Sequence, residues 1–116
     1  MGQLTTHVLD TSAGIPAFGI AWDLYHINPD RIKIASGKTN RDGRNNCPIL
    51  EGKNLIAGTY ELIFMAADYF RLQGVDLPTL PFIDQVVIRF GIADSNQRYH
   101  VPLLISPYGY STYRGS

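Results

Sequence analysis

Apolar and β-branched residues recur on a period of two through most of this chain, and the pattern is sharpest near its end. In Tyr99–Ser106, Val101, Leu103 and Ile105 fall on one side and His100 on the other. After Pro107 the alternation resumes: Tyr108, Tyr110 and Thr112 share one face, Ser111 and Tyr113 the opposite one. Runs rich in β-branched and aromatic residues at this period read as strands. Chain ends usually fray, yet Tyr113-Arg114-Gly115-Ser116 is too specific in composition for a frayed tail.

The same period organises the rest. Leu4, Thr6 and Val8 face one way within Leu4–Asp10, with Thr5, His7 and Leu9 opposite. Thr11–Pro16 carries turn chemistry in Ser12, Gly14 and Pro16. Ala17–Ile27 reads as a strand with Trp22 in the core, Asn28-Pro29-Asp30 as a turn, and Arg31–Gly37 as the next strand. Gly37–Pro48 (GKTNRDGRNNCP) is polar and rich in Gly, Asn and Asp, so it reads as a loop, where function tends to sit. A short strand near Ile49–Leu50 precedes a longer one over Gly58–Ala66. Asp68 begins a brief helix within Ala67–Leu72, which Gly74 ends. Leu77–Phe82 is an extended connection, Gln85–Ile92 a strand and Ala93–Gln97 a turn. Seven or eight strands with turn signals between them predict an all-β fold, a β-sandwich with one short helix.

Length and charge narrow the function classes. One domain spanning residues 1–116 is expected. A mass of 12.9 kDa implies roughly 6,300 Å² of folded surface against roughly 18,700 Å² unfolded, enough burial for a core without disulfides. Ten basic and ten acidic side chains balance. No basic stripe marks a nucleic acid or an anionic membrane as partner. The one cysteine, Cys47, has no internal partner. The start, MGQLTTH, lacks the features of a secretory leader, and no segment is apolar enough to span a bilayer, so a cytoplasmic protein is expected. The same start matches an N-myristoylation pattern superficially; it is discounted, because His7 would then lie too close to a lipid anchor.

Four separated segments carry a family resemblance: LTTHVLDTSAGIPA at Leu4–Ala17, TNRDGR at Thr39–Arg44, GTYELIF at Gly58–Phe64, and YHVPLL followed by YGYSTYRGS at the end. In this order the chain resembles the 5-hydroxyisourate hydrolases, the transthyretin-related enzymes of urate breakdown. The resemblance implies a transthyretin-like two-sheet β-sandwich, paired edge to edge into dimers. It also implies a homotetramer whose active sites lie at the dimer–dimer interface. The implied substrate is a small purine derivative whose cyclic amide is opened by water, with no metal and no cofactor. One detail departs: many members have a histidine two places before His100, where this chain has Arg98.

Imidazole is the side chain that titrates near neutral pH, hence the natural proton-transfer group. His26, beside a Pro-Asp turn, is assigned an ordinary structural role. His7 and His100 each interrupt a strand face and match the family's two active-site histidines; which one activates water stays open. The ordinary role of Arg44 is a solvated loop arginine, but the Asp42-Gly43 turn before it would fix its direction. The resemblance assigns it to substrate binding, and its charged fork suits an oxyanion. Tyr113 is suited to stack on a flat heterocycle, whereas Tyr108 and Tyr110 are read as sheet packing. Gly115 would let a ligand approach the backbone. Ser116 brings a hydroxyl and a terminal carboxylate together, as a substrate or water positioner and not an acylating nucleophile. His7, Arg44, His100 and Ser116 are thus the catalytic candidates, and His7, Arg44, Tyr113, Gly115 and Ser116 the substrate contacts. Cys47 is read as inert. No His or Cys spacing suits zinc, apart from adventitious binding if His7 and His100 face each other. The alternative is a non-catalytic carrier of the transthyretin kind, which would lack the polar set; a purely structural sandwich domain is a third reading.

Overall fold

The computed structural model describes all 116 residues. Its strands are β1 (Gln3–Asp10), β2 (Ile15–Pro16), β3 (Ala21–Ile27), β4 (Arg31–Lys38), β5 (Leu50–Glu51), β6 (Gly58–Phe64), β7 (Val86–Ile92), β8 (Arg98–Ser106) and β9 (Gly109–Thr112). A single helix, α1 (Ala66–Leu72), follows β6. Two of the nine strands are only two residues long, so the expected seven or eight becomes nine by the addition of short pieces. The chain forms two sheets. One is ordered β2-β1-β8-β9, with β5 also on β1; the other is ordered β4-β3-β6-β7. This is the expected β-sandwich.

Period-two alternation accounts for the layers. Leu4 and Val8 of β1, and Val101, Leu103 and Ile105 of β8, point inward. They meet Trp22 and Leu24 of β3 and Tyr60, Leu62 and Phe64 of β6 in one cluster of 21 buried residues. The other face of β1 carries Thr5 and His7, and that of β8 carries His100; all three are half-buried. β1 and β8 run parallel, with Thr5 opposite His100 and His7 opposite Pro102. Both histidines therefore lie on the outer face of one sheet, on adjacent strands.

Local chemistry explains where the sequence-derived bounds shift. The strand expected over Ala17–Ile27 begins only at Ala21. Gly19 takes φ +79, a left-handed conformation that breaks an extended run. The Ile20 amide donates to the Thr39 hydroxyl at 3.0 Å instead of to a strand, and Phe18 is left 53 % exposed. Helix α1 buries Ala66, Ala67, Tyr69 and Phe70. Gly74 follows it at φ +87, as the sequence predicts. Tyr108 and Tyr110 do not pack inward: Tyr108 sits in the turn between β8 and β9, Tyr110 on an edge strand, and both are exposed. Tyr108 instead lies over Phe82, ring centroids 6.4 Å apart. His26 packs on Tyr60 at 4.9 Å, with Nε2 buried and unbonded against Gly58.

One buried carboxylate ties the helix to β1. Asp10 accepts from the Ser12 amide at 3.0 Å and the Ser12 hydroxyl at 2.6 Å, and from the Tyr69 hydroxyl at 2.9 Å. Burial, and then Asp10 itself, push the Tyr69 phenol well above its ordinary value.

Candidate active site

The polar loop after β4 is built as a brace against β1. Asn40 closes it: its Oδ1 accepts from the Asp42 amide at 2.9 Å and the Arg44 amide at 3.2 Å, and its own amide donates to the Arg44 carbonyl at 2.7 Å. The Val8 amide donates to the Gly43 carbonyl at 2.8 Å, docking the loop along the strand. Gly43 adopts φ +77, and a Cβ there would fall 2.3 Å from the Val8 carbonyl oxygen, so only glycine fits. His7 and Arg44 become bridge partners as a result. Further along, Asn45 accepts from the Trp22 indole at 2.9 Å, anchoring the loop to the core.

The tail is folded back by β8. Past β9 the Gly115 amide donates to the His100 carbonyl at 2.8 Å. Arg114 secures it, bonding Gln97 Oε1 at 3.0 Å and the Arg98 carbonyl at 3.2 Å, with its guanidinium 4.3 Å from the Tyr99 ring centre. A Cβ on Gly115 would lie 2.5 Å from Cδ2 of His100. The room this glycine leaves is therefore filled by the histidine ring.

Loop, tail and sheet enclose a cavity of about 330 Å³, whose walls include Thr5, Arg44, Asn45, Cys47, His100 and Ser116. Arg44, His100 and Ser116 come together there from three distant parts of the chain. The Arg44 guanidinium makes no hydrogen bond or ion pair within the chain, and so its donors are available to a ligand. Burial first, then the charges of Arg44 and His7, lower the His100 pKa below its ordinary 6.5, which keeps this imidazole neutral at neutral pH. Its Nδ1 is 2.8 Å from the Thr5 hydroxyl. His7 stands beside the cavity, not in its wall. Its Nε2 is 2.9 Å from the Asp42 carbonyl oxygen. A carbonyl only accepts, so His7 carries a proton on Nε2. Tyr113 lies elsewhere: it borders a neighbouring cleft of about 250 Å³ with Ile88, Phe90 and Arg114, and only His100 touches both spaces. Cys47 is exposed in the polar wall. No three His, Cys, Asp or Glu side chains gather as a metal-binding set.

Sequence reasoning did not single out Thr5 or Asn45. For Thr5 the signal was present: it stands two places before His7 and so shares its face. Asn45 carried none, because its bond to Trp22 depends on the fold.

Comparison with known proteins gives the following. The model of the HIUase/transthyretin family matches residues 4–115. A "5-hydroxyisourate hydrolase" of Pseudomonas aeruginosa is 55 % identical over 100 % of this chain and 93 % of its own length. A "5-hydroxyisourate hydrolase 2" of Rhizobium meliloti is 58 % identical, over 99 % and 97 %. Among solved structures, an (S)-allantoin synthase superposes with a TM-score of 0.94 at 42 % identity; the match covers 99 % of this chain but 44 % of that longer one. Sea bream transthyretin in complex with thyroxine gives a TM-score of 0.87 at 25 % identity, over 97 % of this chain and 94 % of its own.

Proposed function

The chain belongs to the HIUase/transthyretin family, and on that premise we propose that it hydrolyses 5-hydroxyisourate. The reaction opens the six-membered ring of this urate-derived purine to 2-oxo-4-hydroxy-4-carboxy-5-ureidoimidazoline. What carries the reading, beside the likeness to named hydrolases, is the convergence of Arg44, His100 and Ser116 on one polar cavity.

Water adds to the carbonyl carbon of the cyclic amide. Neutral His100 takes a proton from that water as the new C–O bond forms. Arg44, with its donors free, offsets the negative charge that gathers on the carbonyl oxygen. The C–N bond then breaks, and the proton held by His100 passes to the departing ring nitrogen. One water is consumed, and a carboxyl group and an N–H appear. His7, with its Nε2 proton held by the Asp42 carbonyl, completes the polar surround and helps keep His100 unprotonated. Ser116 orients substrate or water through its hydroxyl. Tyr113 and Gly115 remain assigned to substrate contact, both only in an assembled oligomer, since neither lines the polar cavity of its own chain and the His100 ring fills the room beside Gly115. The purified protein is expected to accelerate loss of 5-hydroxyisourate absorbance, and His100→Ala to lower kcat at least ~10²-fold. Decay of 5-hydroxyisourate at the uncatalysed rate would overturn the reading.

A carrier of flat apolar hormones would need an apolar lining, and this cavity has Arg44, Asn45, His100 and Ser116 instead. The proposed assembly is the homotetramer with sites at the dimer–dimer interface; the open edges of β7 and β9 support it. Light scattering at four chain masses is the expected result. The proposed location is the cytoplasm, tested by cell fractionation. No helix is long and apolar enough to cross a membrane.

A further inference from the structure

Thr5 sits directly opposite His100 in the parallel β1–β8 register. Its hydroxyl meets His100 Nδ1 at 2.8 Å, and this is the only hydrogen bond that the side chain makes. The neighbouring Thr6 hydroxyl donates to the Val101 carbonyl at 2.7 Å, which locks the two strands in that register. As a β-branched residue in a strand, Thr5 has a restricted χ1, so its oxygen is held in place by the backbone. On the opposite side, Gly115 lies against Cδ2 of the same ring. The imidazole is gripped at two points, and its rotation about χ2 is blocked.

Which ring nitrogen carries the proton is set by the bond that the other one makes. A threonine hydroxyl can accept or donate, so the contact alone accommodates either tautomer. The Arg44 guanidinium decides between them. It shares the cavity with His100, and a permanent positive charge repels an N–H and attracts a lone pair. We propose that Thr5 is a positioning residue: its hydroxyl accepts the Nδ1 proton of His100 and so turns the Nε2 lone pair into the cavity as the proton acceptor. This rests on the hydrolase reading for its catalytic consequence, but not for the tautomer itself. Arg44 from the loop and His7 from β1 both disfavour a proton on His100; Ser116, with its carboxylate, shares the polar cavity from the tail, and Arg114 borders the neighbouring cleft that His100 also touches.

The test separates the two. In ligand-free protein labelled with 15N-histidine, at a pH where His100 is neutral, long-range 1H–15N spectra should show a protonated Nδ1 and a bare Nε2. Thr5→Val, which keeps the shape and removes the hydroxyl, should mix the tautomers and lower kcat roughly tenfold, a part of the hundredfold or more that a general base supplies. KM should stay within about twofold. Thr5→Ser should restore both readouts. A wild-type His100 protonated on Nε2 overturns the proposal without any variant. Unchanged tautomer and kcat in Thr5→Val also overturn it, as does raised KM with unchanged kcat, which would make Thr5 a substrate contact. If the wild type does not turn over 5-hydroxyisourate, the hydrolase reading fails while the spectra still decide the role of Thr5.

Discussion

Replacing one hydrogen of Gly115 by a methyl group would place a carbon 2.5 Å from the His100 ring. The ring must tilt or the tail must lift, and small misplacements of a reacting group are costly. Gly115→Ala should lower kcat by ~10-fold or more, while the melting temperature hardly moves, because the tail carries little of the core; steady-state kinetics beside calorimetry check this. The pH profile belongs at this scale too. In the proposed mechanism His100 acts unprotonated; its pKa is lowered, so activity should be full at neutral pH, and the acid limb of kcat/KM should lie below the ordinary imidazole value of 6.5. The sign for stability agrees. The unfolded imidazole binds a proton at higher pH than the folded one, so this group's contribution is complete above its unfolded value. It is lost as pH falls through the lowered folded value. An acid limb at or above 6.5 would remove His100 as the base.

Elements are joined here by a few polar contacts, and their loss is measurable. Tyr69→Phe removes one donor from the buried Asp10 carboxylate and should cost about 1.5–3 kcal/mol in urea unfolding, the range for a hydrogen bond to a charged group. Gly43→Ala meets both a left-handed φ and the Val8 carbonyl; it should free the Asn40–Arg44 loop from β1 and depress activity more than stability, which amide exchange at Val8 would report. These joints also mark what the sequence could and could not show. The faces of β1 and β8 were legible because burial on one side enforces the alternation that places Val101 inside and His100 outside. The loop was legible from its composition; the Asp42-Gly43 turn pointed to a fixed direction for Arg44, and its substrate-binding role came from the family resemblance. The long strand through Phe18 was misread, because its break depends on Thr39, nineteen residues downstream of Ile20. For Tyr108 and Tyr110 the sequence offers β-propensity and alternation, and neither distinguishes an edge from an interior strand. Asp10–Tyr69 and Thr5–His100 join residues 59 and 95 apart; no local pattern encodes such pairs.

At the scale of the molecule, the polar cavity opens on the outer face of the β2-β1-β8-β9 sheet, and Tyr113 borders the neighbouring cleft. If subunits share that face, specific activity should fall on dilution in step with loss of the large species in sedimentation; activity that is constant across the dissociation range would assign a complete site to one chain. The parallel union of β1 with β8 has a separate consequence. Its two strands lie far apart along the chain, Thr5 and His100 being 95 residues from each other, so a growing polypeptide on the ribosome carries Thr5 and His7 long before His100 exists to meet them. Under the proposed mechanism a fragment lacking β8 and β9 should be inert until a second fragment supplied them, which makes the chain a natural candidate for split-protein complementation.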